Sequence, residues 1–452
     1  MLRQDPSGSV RLAPGPQTAD RALASRATRA ILAVTFAATA LLVLTLALPA
    51  STLAATTRIT FTMQTGDQKE VANYQDLIDK FQVAHPDIKV EFVQLSGNYY
   101  EKIPTMLATN TAPDLFWYGG QNSAQFIRDG VLTDLTPFVA KSPSFNLADF
   151  FPSAVDPFRW QGGLYGIPRD VSPLVLYYNV DSFATAGLPS PNDYHDRQAW
   201  NWDNFLNVSR KLSAPNAATP RFGMATDWWW GLWFPWILTN GGDIFSPGYK
   251  EPVFDSPKAR QGLQFLVDLI HVYHVVPSPE EADKLGGHWN LFVQGRAAMY
   301  PTGRWVVPGL RSLKDFNFDV VVMPYKERQA TALFTGIYAI PKTSTKKEAA
   351  WQLLQWLVSP EAQLQLAADG QVVPSRASAA ASSAFVHSTP PQHNLIFLEA
   401  AQHGYLEPVF PAFNKVGDAT WGPFIDMFNG KITVNQALDT VMPLARQAMG
   451  LK

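Results

Sequence analysis

The chain has 452 residues, 46% of them hydrophobic and 16% charged, with a formal net charge of −2. That balance supports large buried cores, excludes a disordered chain or a charged coiled coil, and lacks the basic block of a nucleic-acid binder. Cysteine is absent, which excludes disulfides, cysteine-ligated zinc, iron–sulfur clusters, a catalytic thiol and a cysteine-linked lipid anchor.

Residues 1–29 carry Arg3, Arg11, Arg21, Arg26 and Arg29. From Ala30 to Leu48 there is no charge, and Pro49 and Thr52-Leu53-Ala54 follow. A positive start, an apolar core and a small-x-Ala site describe an export signal. The apolar run is also long enough for a tilted transmembrane helix. Residues 1–54 are therefore either a cleaved signal or a retained N-terminal anchor. Both place the rest of the chain outside the cytoplasm. Without this segment the net charge becomes −5, and no other segment is apolar enough to span a membrane.

Arg58–Met63 alternates like a strand. Val71, Tyr74, Leu77, Ile78 and Phe81 then recur at helical spacing, and His85-Pro86 stops that helix. Ile88, Val90 and Phe92 alternate as a second strand. Residues 100–109 suit a helix with Pro104 in its first turn. Pro113–Trp117 reads as a buried strand, and Phe126–Leu132 as a helix. This alternation implies parallel strands with crossover helices, a doubly wound α/β sheet.

Further along, Gly162–Pro168 and Leu174–Tyr178 are two extended runs. Trp202–Leu212 is helical. Ser256-Pro257 opens a helix with a cap followed by proline at its first position. Residues 297–300, 318–323 and 334–340 read as strands. Lys346–Leu357 is a helix, Ser359-Pro360 starts the next, residues 375–383 form an Ala/Ser-rich loop, and Ala437–Met449 closes the chain. No internal repeat is visible. After residue 54 the chain exceeds what one core normally holds, so two lobes are expected, with a ligand at the carboxyl ends of strands between them.

No P-loop, G-x-G-x-x-G, H-E-x-x-H or G-x-S-x-G is present. His271 and His274 have metal-compatible spacing but no third ligand nearby, so a half-exposed helix face is expected. Glu280, Glu281 and Asp283 lack the spacing of a calcium loop and read as a solvated loop. A paired-carboxylate glycosidase needs only two acids close in space, which sequence cannot display. The informative feature is Trp228-Trp229-Trp230 with Trp233 and Trp236. Successive positions on a helix or strand point in different directions, so part of this cluster should face a cleft. Aromatic rings flanked by polar groups suit the apolar C–H face of a sugar. A core or an oligomer contact is the competing account.

The order of segments resembles the extracellular solute-binding proteins of carbohydrate ABC importers, the group that includes maltose-binding protein. The pieces are Phe81–Pro86, Ile88–Glu91, Ala112–Trp117, Gly130–Leu135, Gly163–Pro168 with Leu176–Asn179, Trp202–Phe205 and Asn240–Asp243. Phe292–Met299, Gly336–Ile340, Ala349–Trp351 and Ser359–Gln363 follow in the family order. Each piece is weak alone, and their succession is specific.

The resemblance implies a two-lobe periplasmic-binding-protein fold of type II, α/β throughout, with the ligand cleft between the lobes. It assigns 55–168 and 297–337 to the first lobe, and 169–296 and 338–452 to the second. It implies a monomeric, non-enzymatic, cofactor-free binder that captures a sugar by hinge closure and delivers it to membrane permease subunits. The lack of a cysteine departs from relatives that carry a lipid anchor.

Residue by residue, the resemblance points to Asp67, which otherwise caps the helix after it, and to Tyr118 and Gln121 after the third strand. It points to Arg169, Asp170 and Ser172 at the crossing, where the pair could instead be a hinge ion pair. It adds Trp305 as a stacking aromatic, and Gly336 and Tyr338 near the return crossing. Trp228, Trp229 and Trp230 join them from the aromatic run. Gly417 and Trp421 lie in a late helical region that can add an aromatic, with Trp421 expected in the core. Two rivals stand beside this reading. One is a polyol-phosphate binder using Arg169 or Arg304, and the other is a secreted carbohydrate-active enzyme.

Overall fold

Strands carry the architecture, and the computed structural model describes them within residues 56–65 and 68–451. The first sheet holds β1 (Thr57–Thr62), β2 (Ile88–Val93) and β3 (Leu115–Gly119), all parallel. The helices Gln68–Ala84 and Tyr99–Ala108 make the crossovers between them. Each crossover helix has an apolar stripe of the expected period: Tyr74, Leu77, Ile78 and Phe81 are buried in the first, Ile103 and Leu107 in the second. Pro104 lies in the interior of the second helix rather than its first turn, because Asn98 caps that helix by accepting from the Tyr100 N–H.

A short hairpin follows, β4 (Arg159–Trp160) with β5 (Gly163–Leu164). Then β6 (Ile167–Pro173) leads through Leu174 directly into β7 (Val175–Asn179). The two strands belong to different sheets, so the chain passes from one lobe to the other at a single residue. The second sheet orders β10 (Phe318–Val321), β7, β9 (Ala297–Thr302) and β8 (Phe222–Met224). The chain returns in β11 (Thr331–Ala339), which pairs antiparallel with β3 and β6 and parallel with β12 (Gly404–Leu406). Both sheets are therefore mixed, where the alternation of elements suggested parallel strands only.

Two separate apolar cores correspond to the two sheets. One joins Phe61, Phe116, Ile167 and Tyr338 to the helices Lys347–Leu357 and Pro360–Ala368. The other joins Tyr177, Met299 and Val320 to the helices Pro257–His271, Phe413–Phe428 and Val434–Ala448. Strand pairing thus distributes the later chain differently from the expected boundaries. Residues 297–302 and 318–321 sit in the second sheet, while 331–339 and the helices at 347–368 complete the first. The reason is long-range. β9 hydrogen-bonds to β7 and β8, a pairing that local pattern does not specify.

Local rules hold closely where they are strong. Trp202–Leu212 is a helix whose Asn201 cap accepts from Asn204, and Ser256 caps Pro257–His271; such caps stabilise by about 1 kcal/mol each. The unexpected element is a helix at Trp230–Thr239, within the tryptophan run and with Pro235 inside it. The 375–383 stretch is not a free loop: Ser375 and Arg376 are buried, and Arg376 bonds the carbonyls of Val358 and Asn146. Among the described residues no helix is long and apolar enough to cross a membrane. The leader at 1–54 lies outside the described residues.

Candidate functional site

A cavity of about 670 Å³ opens between the two sheets, within the usual range of ligand sites of roughly 300–1000 Å³. β6 contributes Arg169, Asp170 and Ser172, and β11 contributes Phe334, Thr335 and Gly336. The first lobe adds Gln64, Glu70, Tyr100, Trp117, Gln121 and Asn122. The second adds Asp227, Trp229, Trp230, Leu232, Trp289, Tyr300, Thr302, Trp305 and Val306. Gln121 and Asn122 come from the first turn of the helix Gly120–Arg128, which starts directly where β3 ends. This places them at the carboxyl edge of the sheet, as expected for open α/β folds.

Arg169 and Asp170 form an ion pair at 2.7 Å. Asp170 also accepts from the Ser172 hydroxyl at 3.2 Å and the Gly336 N–H at 2.9 Å. The guanidinium lies 4.8 Å over the Trp117 ring, and its Nη1 is 3.8 Å from Glu70. Burial alone would lower the Arg169 pKa, but Asp170 and its neighbours outweigh burial and hold it well above the ordinary value. The ion pair expected at this crossing is present, and both of its members line the cavity. The Arg169 Nε and Trp117 Nε1 groups are buried without a hydrogen-bond partner. Unsatisfied donors at the edge of a cavity are free to meet a polar ligand atom or water.

Three tryptophans of the cavity pack directly against glycines. A Cβ at Gly303 would sit 1.9 Å from the Trp305 ring, one at Gly336 2.1 Å from Trp117, and one at Gly231 2.1 Å from Trp229. No larger residue leaves room for these rings. Trp305 keeps 39% of its surface exposed. Trp229 and Trp230 meet at 88° and 5.4 Å between centroids, forming a corner, and Trp289 meets Tyr300 edge-on at 5.7 Å. Beside this corner Asp227 accepts from the Tyr300 hydroxyl at 2.5 Å. Burial, then the Asp227 charge, raises the Tyr300 pKa, so the phenol remains a donor.

Of the residues singled out in the sequence, Gln121, Arg169, Asp170, Ser172, Trp229, Trp230, Trp305 and Gly336 line this cavity. Three others point elsewhere. Trp228 is buried, donates to His288 Nε2 at 3.0 Å and packs 4.6 Å from Phe428. Burial lowers the His288 pKa, which keeps that nitrogen an acceptor. Tyr118 is buried and donates to the Tyr100 carbonyl. Tyr338 is wholly buried and bonds Tyr74 at 3.2 Å. For Tyr118 strand alternation is the cause, since its neighbour Trp117 faces the cavity. For Tyr338 it is the irregular register between Gly336 and Ile337, which breaks the alternation of β11. Asp67 lies outside the described residues.

Two expectations are corrected. Trp421 is 55% exposed, not core. Arg304 is wholly buried, bonded to Asn394 and to the carbonyls of Ala367 and Val372, and burial pushes its pKa down to about 9. It cannot reach a ligand. The sequence reading missed Asp227, Tyr100 and Trp289. Asp227 abuts the tryptophan run and could have been found there; Trp289 is isolated in sequence and gave no signal. His271 bonds the Phe428 carbonyl, and Glu280 pairs with Lys431.

A family model described as bacterial extracellular solute-binding protein matches residues 65–364. A mannitol-binding protein of Pseudomonas aeruginosa is 25% identical over 410 residues, covering 84% of this chain and 90% of the relative. Among solved structures, an ABC substrate-binding protein of Listeria monocytogenes in complex with cycloalternan superposes with TM-score 0.80 at 27% identity, over 88% of this chain and all of the other. A solute-binding protein of Thermotoga lettingae bound with α-D-tagatose gives 0.76 at 22%, over 87% and 100%, a likeness of fold.

Proposed function

Because the chain belongs to the bacterial extracellular solute-binding protein family, we propose that it captures a carbohydrate between its lobes and delivers it to an ABC permease. The observation that carries this is the wall of the cavity. Trp229, Trp230, Trp289 and Trp305 offer aromatic rings, while Gln121, Asn122 and Thr302 offer hydrogen-bond partners between them. A pyranose presents that combination, an apolar C–H face rimmed by hydroxyls. The sugar-binding relatives support the same reading.

The direct passage from β6 to β7, together with the return into β11, supplies a hinge. A ligand touching both lobes favours the closed form only by the difference in its affinity for the closed and open states. Gln121 and Trp305, on opposite sides of the cavity, would serve that role. The chain works as an exported monomer, held outside the cytoplasm by its leader or by the permease.

A polyol phosphate fits less well, since Arg304 is sealed in a core and Arg169 is already engaged by Asp170. The carboxylates of the cavity are likewise committed, Asp170 to Arg169, Ser172 and Gly336, Asp227 to Tyr300, and Glu70 to Arg169 at 3.8 Å. The test is a thermal-shift screen against sugars, polyol phosphates and amino acids. A ligand at 100 times its Kd adds about 2.7 kcal/mol of stability. A shift with a sugar that is recovered unhydrolysed supports capture without turnover. A shift with phosphate esters alone, or hydrolysis of the sugar, defeats it.

A further inference from the structure

The two sides of the main cavity differ in chemistry. On the side of the first sheet the unused groups are donors. Arg169 Nε and Trp117 Nε1 have no hydrogen-bond partner, although both residues are at least nine-tenths buried. Buried donors of this kind call for an acceptor, and the oxygens of a sugar supply one. The carboxylates on this side, Asp170 at 2.7 Å and Glu70 at 3.8 Å, both lie against the Arg169 guanidinium.

On the side of the second sheet stands Asp227, and no cation among the described residues pairs with it. One of its oxygens accepts from the Tyr300 hydroxyl at 2.5 Å, and the other accepts no hydrogen bond from the protein. A bond from a neutral phenol orients the carboxylate and leaves its charge in place. His288 does not offset that charge. Its Nε2 accepts from Trp228 Nε1, a group that can only donate, so the imidazole is neutral with its proton on Nδ1. Asp283 acts on the same imidazole as Asp227 and adds a second negative charge nearby.

Aromatic rings surround this carboxylate. Tyr300 meets Trp289 edge-on at 5.7 Å, and Trp229, two residues after Asp227, lines the same wall. Across the whole cavity three carboxylates, Glu70, Asp170 and Asp227, stand against the single cation Arg169. A cleft with an excess of one sign and low-dielectric walls draws the opposite charge. Tryptophan is the aromatic side chain that attracts cations most strongly. A lone carboxylate among tryptophans therefore suits an ammonium group, whereas a neutral hydroxyl would leave its charge uncompensated.

Resting on the sugar reading above, we propose that the solute is an amino sugar. Its protonated amine lies against Asp227 beside Trp229 and Trp289, and its oxygens lie toward Arg169 and Trp117. One ligand then touches both lobes, and Asp227 is the residue that selects for the charge.

The experiment is calorimetric titration of the full-length protein with glucosamine, galactosamine, mannosamine and their short oligomers, each beside its neutral parent sugar and its N-acetylated form. Acetylation removes the charge and keeps the nitrogen. In the series that binds, the free amine should bind at least about tenfold more tightly than both neutral forms. That margin should shrink as salt is added. Asp227→Asn should erase the margin. Tyr300→Phe removes the hydrogen bond but keeps the carboxylate, and should retain it. Neutral forms that bind as tightly as the amine overturn the proposal and leave the sugar reading standing. An equal loss for charged and neutral forms in Asp227→Asn does the same. Silence of every sugar, charged or neutral, overturns the sugar reading itself.

Discussion

Glu407 and Thr335 are joined by two hydrogen bonds: one carboxylate oxygen of Glu407 accepts both the backbone N–H and the hydroxyl of Thr335, each at 2.9 Å. The other oxygen is buried without a partner. Thr335 lines the cavity, whereas Glu407 lies wholly inside the protein just after β12. Burial is the dominant influence and pushes the Glu407 pKa up to about 8. At neutral pH the group is therefore held mostly as the acid.

This has a defined consequence for stability. The unfolded chain releases the Glu407 proton near the ordinary carboxylate value, about 4.3, while the folded chain keeps it until about pH 8. Between these values the native state binds more protons, so stability falls as pH rises. The contribution is complete below the lower value and lost through the upper one, a difference of a few kcal/mol. Glu407→Gln, a permanently neutral isostere, should raise the melting temperature more at pH 9 than at pH 5. An equal effect at both values would show that Glu407 does not titrate in this window.

Trp305→Ala should weaken binding of the sugar identified in the screen by about 1–3 kcal/mol, the loss of a central aromatic contact. The ring is substantially exposed and rests on Gly303, so the melting temperature without ligand should hardly change. Titration calorimetry and a thermal melt together check both halves. Unchanged affinity removes Trp305 from the site.

Adjacent tryptophans should separate by function. Trp228→Ala should destabilise by about 3–5 kcal/mol, the cost of emptying a large core position, and leave affinity nearly intact in the folded fraction. Trp230→Ala should mainly weaken binding. Denaturant melts and titrations on the two variants decide; an affinity loss confined to Trp228→Ala would reverse their assigned roles.

Gly336→Ala tests the floor of the cavity. Its new methyl would meet Trp117 Nε1 at 2.1 Å and force the indole, with the Arg169 guanidinium stacked on it, to move. Overpacking of this kind costs about 1–3 kcal/mol. Both stability and ligand affinity should fall, because the displaced groups belong to core and cavity together. A fall in stability alone would mean that Trp117 and Arg169 are scaffold only.

Much of this was legible beforehand, for physical reasons that differ by residue. The helices Trp202–Leu212 and Pro257–His271 were readable because cap and periodicity lie within one segment. Trp305 and Asp170 were reachable through the order of family segments. Trp228 was not separable from Trp229 and Trp230, because the side chain that faces a cavity depends on where the helix Trp230–Thr239 begins. Trp421 was misplaced because periodicity reports which side of a helix is apolar, not whether another element covers it.

The sequence by itself determined the alternation of strands and helices, the two-lobe α/β class and the clustering of tryptophans at 228–236. These are properties of local spacing and composition. Tertiary structure alone decided that β9 joins β7 and β8, that Arg304 is sealed while Arg169 lines the cavity, and that glycines 231, 303 and 336 seat three indoles. Those outcomes rest on contacts between residues far apart in the chain. Their free energies come from the burial and pairing of particular surfaces, and no local pattern encodes which surfaces will meet.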